Sequence, residues 1–171
     1  MLTLKIREFA PEDSIEDKGA LLPVFLSIWN APENLKYLSS TLIPFESEQV
    51  EGWFDNHKAL GGRYFCALDE QDNILGVMVV KVNTKEGFEL YGLGVLPAHK
   101  GNGVGIQLVE HAARVARGLG FHDIKALVFA DNTGMLCLLL KSGYISVGME
   151  YHKRSDGADA VTLCKRLSGS Q

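Results

Sequence analysis

The stretch Glu89-Leu-Tyr-Gly-Leu-Gly-Val-Leu-Pro-Ala-His-Lys-Gly-Asn-Gly-Val-Gly105 decides how this chain folds. It reads as a strand that ends at Pro97, three glycines at alternate positions (Gly101, Gly103, Gly105), and a helix that starts at once. Beyond it, Val104, Leu108, Ala112, Val115, Ala116 and Leu119 recur on one helical face, and Gly118 and Gly120 supply a stop. Alternate glycines let the backbone turn sharply, so that successive N–H groups point to one spot beside the positive helix end. That is a cradle for a phosphate or pyrophosphate. The plain alternative is a glycine-rich connector that holds nothing.

Strands and helices alternate to either side of this segment. Thr3–Phe9 alternates polar and apolar residues, as a half-buried strand does. Pro11, Glu12 and Asp13 favour a helix opening there and running to about Trp29. A second helix is expected over about 33–41, and a third from Ser47, a plausible N-cap, to before Gly61. Tyr64–Leu68, Ile74–Val82 and Glu86–Leu96 read as strands. After the central helix, Asp123–Ala130 reads as a strand buried on both faces and Asn132–Ser142 as a helix ended by Gly143. Tyr144–His152 and Ala158–Leu167 read as a closing antiparallel pair across Asp156-Gly157.

The chain has 171 residues, which suits one mixed α/β domain over 1–171. Its net charge of −4 argues against a nucleic-acid or anionic-membrane surface, which needs a clustered basic excess. No apolar run reaches the ~18–20 residues of a membrane span. The start Met-Leu-Thr-Leu-Lys-Ile-Arg-Glu lacks an apolar signal core. Cys66, Cys137 and Cys164 are far apart and read as reduced core thiols, so a cytoplasmic setting is expected. No His pair has metal-ligand spacing, so no metal is expected.

Two rival cradles fail on spacing. No Gly-Lys pair is followed by Ser or Thr, as a P-loop requires. The sixth place of a G-x-G-x-x-G fingerprint falls on Ile106 or Leu108. The segment instead resembles the acetyl-CoA site of the GNAT superfamily of N-acetyltransferases. There a V-x-P strand is followed by [R/Q]-G-x-G-[I/V]-[G/A] opening a long helix. Val95, Pro97, Gly101, Gly103, Val104 and Gly105 match, with Lys100 where Arg or Gln is usual. A second familial motif, N-x-x-A-x-x-L-Y-x-K-x-G-[F/Y], matches at Asn132, Leu138, Lys141, Gly143 and Tyr144. The resemblance is specific over about 63–167. Residues 11–60 match only in helical pattern and are expected on the acceptor side.

The resemblance implies a mixed, mostly antiparallel sheet flanked by helices, with acetyl-CoA as co-substrate in a cleft between splayed central strands. Lys100 and the backbone N–H groups of Gly101, Asn102, Gly103, Val104, Gly105 and Ile106 would hold the CoA pyrophosphate. Leu93, Gly94 and Val95 would bond the pantetheine arm, and Asn132 would help hold the CoA. Leu139 stands where many relatives carry the Tyr that protonates the CoA thiolate, and it cannot do so. Gly92 and Gly94 agree with a close ligand or, alternatively, with a close helix.

Acetyl transfer needs a neutral amine, and at period two Glu89 and Tyr91 share a face with Leu93 and Val95. Relatives often place a carboxylate base near this point, so Glu89 is the candidate base or, alternatively, a solvated carboxylate at a strand start. Tyr91 is a candidate acid or a packing residue, and His99 is read as a surface residue. Trp29, Tyr37, Phe45, Trp53 and Phe54 among acidic residues would either hold a cationic acceptor or form an ordinary amphipathic wall. The reading is transfer from acetyl-CoA to a primary amine by direct attack. A non-catalytic acyl-CoA-binding module is the alternative, and there is room for a homodimer.

Overall fold

The computed structural model describes residues 2–168. Met1, Gly169, Ser170 and Gln171, at the ends of the expected domain span, lie outside the described residues. In chain order the elements are β1 (Lys5–Phe9), α1 (Ile15–Trp29), α2 (Pro32–Leu38), α3 (Ser47–Asp55), β2 (Gly62–Leu68) and β3 (Ile74–Asn83). Then come β4 (Gly87–Val95), α4 (Val104–Gly118), β5 (Asp123–Phe129), α5 (Thr133–Lys141), β6 (Ile145–Glu150) and β7 (Ala160–Arg166). The strands form one sheet in the order β1-β2-β3-β4-β5-β7-β6. All neighbours are antiparallel except β4 and β5. That parallel pair needs a crossover, and α4 is the crossover.

Each face of the sheet carries its own core. The apolar stripe of α4 (Val104, Leu108, Val109, Ala112, Ala116) packs with Met78, Val80, Leu90, Ile124 and Leu163 on one side. On the other, Leu21, Phe25, Ile28, Val50 and Phe54 of α1 and α3 pack on Phe9, Tyr64, Val77 and Val79. Phe25 is the hub there, stacked on Trp29 at 4.0 Å between centroids and edge-on to Phe54 and Tyr64. Trp29 and Phe54 are thus core, and Trp53 lies edge-on to Phe45 at 5.5 Å. Trp29, Phe45, Trp53 and Phe54 pack together as a helix wall, with Lys18 paired to Asp55.

Some boundaries and faces differ from expectation. α1 begins only at Ile15, because the Ser14 side chain accepts from the Asp17 N–H and caps it. α3 is preceded by Glu46 as N-cap, with Ser47 its first residue. β5 is not buried on both faces: Ile124, Ala126 and Val128 are buried while Lys125 is exposed. Helix α4 covers one side of β5, whereas the buried core under α1 and α3 includes no β5 residue. Cys66 is buried, Cys164 partly so and Cys137 exposed, so Cys137 is not a core thiol.

The feature that positions the site is the parting of β4 from β5. The two strands pair only at Glu89↔Lys125 and Leu90↔Ala126, although β4 stays on β3 as far as Val95↔Gly76. A bulge opposite Val79/Val80 makes Tyr91 the extra residue, since Leu90 pairs with Val80 and Gly92 with Val79. A bulge bends its strand, and here β4 leaves β5 directly beyond it. The result is a V that opens toward the N-terminus of α4.

Candidate functional site

The mouth of this V is a cleft of about 450 Å³. One end is the glycine loop. Gly101 and Gly103 hold φ of +79° and +84°, a region that L side chains rarely adopt. Gly103 is the N-cap of α4, and the first bond back to it comes from Gln107 N–H to Gly103 O at 3.2 Å. The N–H groups of Val104, Gly105 and Ile106 therefore have no intrahelical acceptor, and these three residues line the cleft at the positive helix end. Lys100 and Gly101 line the same end. This arrangement fits a pyrophosphate.

The rest of the wall comes from three elements. Leu93, Gly94 and Val95 line the cleft from β4, where β5 has departed. Asn132, Gly134, Met135 and Leu138 line it from the start of α5, and Asn34, Tyr37 and Leu38 from α2. The Asn132 side chain accepts from Met135 N–H at 3.2 Å, so it caps α5 while it borders the cleft. Asn34 is buried and donates to Ile28 O (2.9 Å) and Val95 O (3.1 Å), tying α2 to the end of β4.

Most of the expected cofactor residues thus meet in one place: Leu93, Gly94, Val95, Lys100, Gly101, Gly103, Val104, Gly105, Ile106 and Asn132. Asn102 sits in the exposed loop and does not line the cleft. Leu139 is a correction. It is fully buried in the core, and its neighbour Leu138 borders the cleft. One residue along a helix is a turn of about 100°, which carries Leu139 from the cleft wall to the sheet. His99, read as a surface residue, lines the cleft. Asn34 and Leu38 were missed, and Tyr37 was read only among the acceptor-side aromatics, because α2 carries no motif and only its packing against β4 brings it here.

Glu89 and Tyr91 are placed differently from the period-two reading. The bulge shifts the phase, so Leu90, Leu93 and Val95 share the α4 face. Gly92 and Gly94 face α1, where a Cβ on Gly94 would lie 2.4 Å from Ile28 Cγ2. That close helix is what these glycines serve. Glu89 opposes Lys81 and Lys125 at the closed end of the V, outside the cleft lining. Burial raises its carboxyl above the ordinary carboxylate value, with the Lys81 ammonium opposing the shift. Tyr91 is exposed at the bulge, with Lys81 Nζ 3.7 Å from its ring centroid. Among the described residues, no group of three or more His, Cys, Asp or Glu is placed to hold a metal ion.

A mixed sheet, splayed at its one parallel pair and bordered by the glycine loop and the N-terminus of α4, frames this cleft. The profile of the family described as "Acetyltransferase (GNAT) family" matches residues 27–144, and the chain belongs to that family. A mycothiol acetyltransferase of Renibacterium salmoninarum is 29% identical over 147 residues, covering 82% of this chain and 40% of that protein. One from Saccharopolyspora erythraea is 33% identical over 89 residues, covering 52% of this chain and 28% of its own. The chain spans 28% to 40% of the length of the curated mycothiol acetyltransferases it matches. Among solved structures, a GNAT superfamily phosphinothricin acetyltransferase from Sinorhizobium meliloti in complex with AcCoA superposes with TM-score 0.77 at 18% identity, covering 99% of this chain and 91% of that one. The mostly antiparallel, helix-flanked GNAT fold expected from the sequence is the fold observed.

Proposed function

We propose that this chain transfers an acetyl group from acetyl-CoA to a primary amine, of a small molecule or a protein N-terminus, by direct attack. The observation that carries the reading is the continuous cleft from the amide cradle of α4 to the V between β4 and β5. The names of its relatives agree with it, since mycothiol acetyltransferases match in sequence and an AcCoA complex shares the fold.

Acetyl-CoA supplies an activated thioester, and what remains is the work of the chain's own residues. Gly101–Ile106 would receive the pyrophosphate, and the free edge of β4 at Leu93–Val95 would align the pantetheine arm. A lysine-type amine is free base about once in 2,500 at neutral pH, a penalty of roughly 4.6 kcal/mol. The acceptor therefore needs a proton sink. Glu89, with its raised affinity for a proton, would serve through water from the closed end of the V. No Cys, Ser or Thr lines the cleft among the described residues, so direct attack needs no covalent enzyme intermediate. Leu139 offers no proton, and a thiolate of pKa near ~8.5 can leave without one. Tyr37 is the one phenol in the cleft lining. The proposal includes an amine partner, a cytoplasmic setting on the reduced-thiol reading of the cysteines, and, on the net charge of −4, no nucleic-acid or anionic-membrane partner.

CoA release across polyamines, aminoglycosides, amino acids and peptides tests this. The expected result is turnover with at least one amine class, with kcat/KM rising with pH to a plateau. Acetyl-CoA binding without turnover on any amine would leave a non-catalytic binding module.

A further inference from the structure

Arg154 is an almost fully buried cation outside the cleft, with a side chain only 4% exposed. Every one of its five N–H groups is used. Nε donates to Asp156 Oδ1 (2.9 Å), and one Nη2 hydrogen goes to Asp156 Oδ2 (3.1 Å). The other Nη2 hydrogen goes to Asp131 Oδ2 (2.6 Å). Nη1 donates to Asp131 Oδ1 (3.1 Å) and to the Lys36 carbonyl (2.8 Å). The guanidinium also lies 5.0 Å from the Phe129 ring centroid.

These partners are not scattered. Lys36 precedes Tyr37 on α2, and Asp131 precedes Asn132 at the head of α5; Tyr37 and Asn132 both line the cleft. The planar fork spans the gap between the two walls that α2 and α5 make. Its own loop is anchored as well, because Ser155 N–H donates to Ser40 O (2.8 Å) and Ser155 Oγ to Thr41 O (3.0 Å). Lysine cannot reproduce this, since a single ammonium lacks the planar fork that holds two carboxylates and a carbonyl at once.

We propose that Arg154 is a positioning residue that sets the separation of the α2 and α5 walls, and with it the affinity for acetyl-CoA. The inference rests on the acetyl-CoA reading of the cleft. Asp131 and Asp156 are each nearly half exposed, so water can take over their charge when Arg154 is replaced, and the fold survives.

The test uses Arg154→Lys and Arg154→Met in the full chain. The comparator is Arg63→Met, which removes an equally forked pair to Glu8 (2.7 and 2.8 Å) at the β1–β2 edge. Acetyl-CoA dissociation constants, KM and kcat are measured for each. The expected result is a rise in Kd and KM for acetyl-CoA of about tenfold or more in both Arg154 variants, with kcat lowered far less, a misplacement effect. Arg63→Met should shift stability alone. Should Arg154→Met not fold, Asp156→Asn keeps the buried charge paired to Asp131 and is expected to raise KM about threefold. Acetyl-CoA affinity unchanged within about twofold in the folded Arg154 or Asp156 variants would overturn the proposal. Failure of the wild-type chain to bind acetyl-CoA would instead overturn the reading of the cleft.

Discussion

Gly103 holds a left-handed φ of +84° at the spot where the amide cradle opens, so backbone and ligand make separate demands on it. Gly103→Ala is expected to cost on the order of 1–2 kcal/mol through backbone strain. Gly103→Glu adds a negative charge at the cradle and should abolish CoA binding in a folded protein. Calorimetric titration of both variants separates the effects, and full affinity in Gly103→Glu would make the loop a mere connector. Glu89 is the second residue with an exposed consequence. Burial raises its pKa, so between the unfolded and folded values the native state keeps a proton that the unfolded chain releases. Stability therefore falls as pH climbs through that interval and stays lower above it. Glu89→Gln removes the penalty and should melt no lower than wild type at neutral pH, with that advantage vanishing in acid. If Glu89 is the base, kcat/KM drops about 10²–10⁴-fold in the same variant. A loss below about threefold would remove Glu89 from the reaction.

At the scale of elements, the open edge of β4 depends on how closely α1 approaches it. A methyl at position 94 would meet Ile28 Cγ2 at 2.4 Å, and α1 cannot withdraw without parting Phe25 from Phe54 and Tyr64. Gly94→Ala is expected to cost about 1–3 kcal/mol. Ile28→Ala should cost about 2–5 kcal/mol for its cavity. The added methyl partly fills that cavity, so the double variant should be less destabilised than the sum by at least about 0.5 kcal/mol. Denaturant unfolding of the four proteins measures this, and strict additivity would mean that α1 and β4 are not in tight contact. The Tyr91 bulge belongs to this scale too, since it ends the β4–β5 pairing and turns Glu89 away from the face of Leu93 and Val95.

For the whole molecule, the cleft draws on α2, β4, α4 and α5 together, so a bound ligand should stabilise the domain as a unit. Acetyl-CoA at 100 times its dissociation constant adds about 2.7 kcal/mol. For a chain of this size that raises Tm by roughly 5–11 °C. Thermal unfolding with acetyl-CoA, CoA, ATP and NADH checks it. A rise with ATP or NADH and none with acetyl-CoA would sink the functional reading.

What the sequence by itself determined is local. The glycine cradle was legible because glycine, lacking a Cβ, adopts left-handed backbone without steric cost, a property of the residue itself, and because the stripe from Val104 to Ala116 repeats with the helical period. The strands Ile74–Val82 and Glu86–Leu96 were legible from β-branched content and alternation for the same reason. Tertiary structure decided everything that depends on which face a side chain takes and what comes to meet it. A single extra residue at Tyr91 reversed the phase of Glu89 against Leu93. A rotation of one helical step buried Leu139 and put Leu138 at the cleft. Asn34, Tyr37 and Arg154 belong to the site or its frame only because α2, β4, α5 and the β6–β7 loop pack together. Residues far apart in the chain acquire a common role only when long-range pairing sets their faces, and no local pattern encodes that pairing.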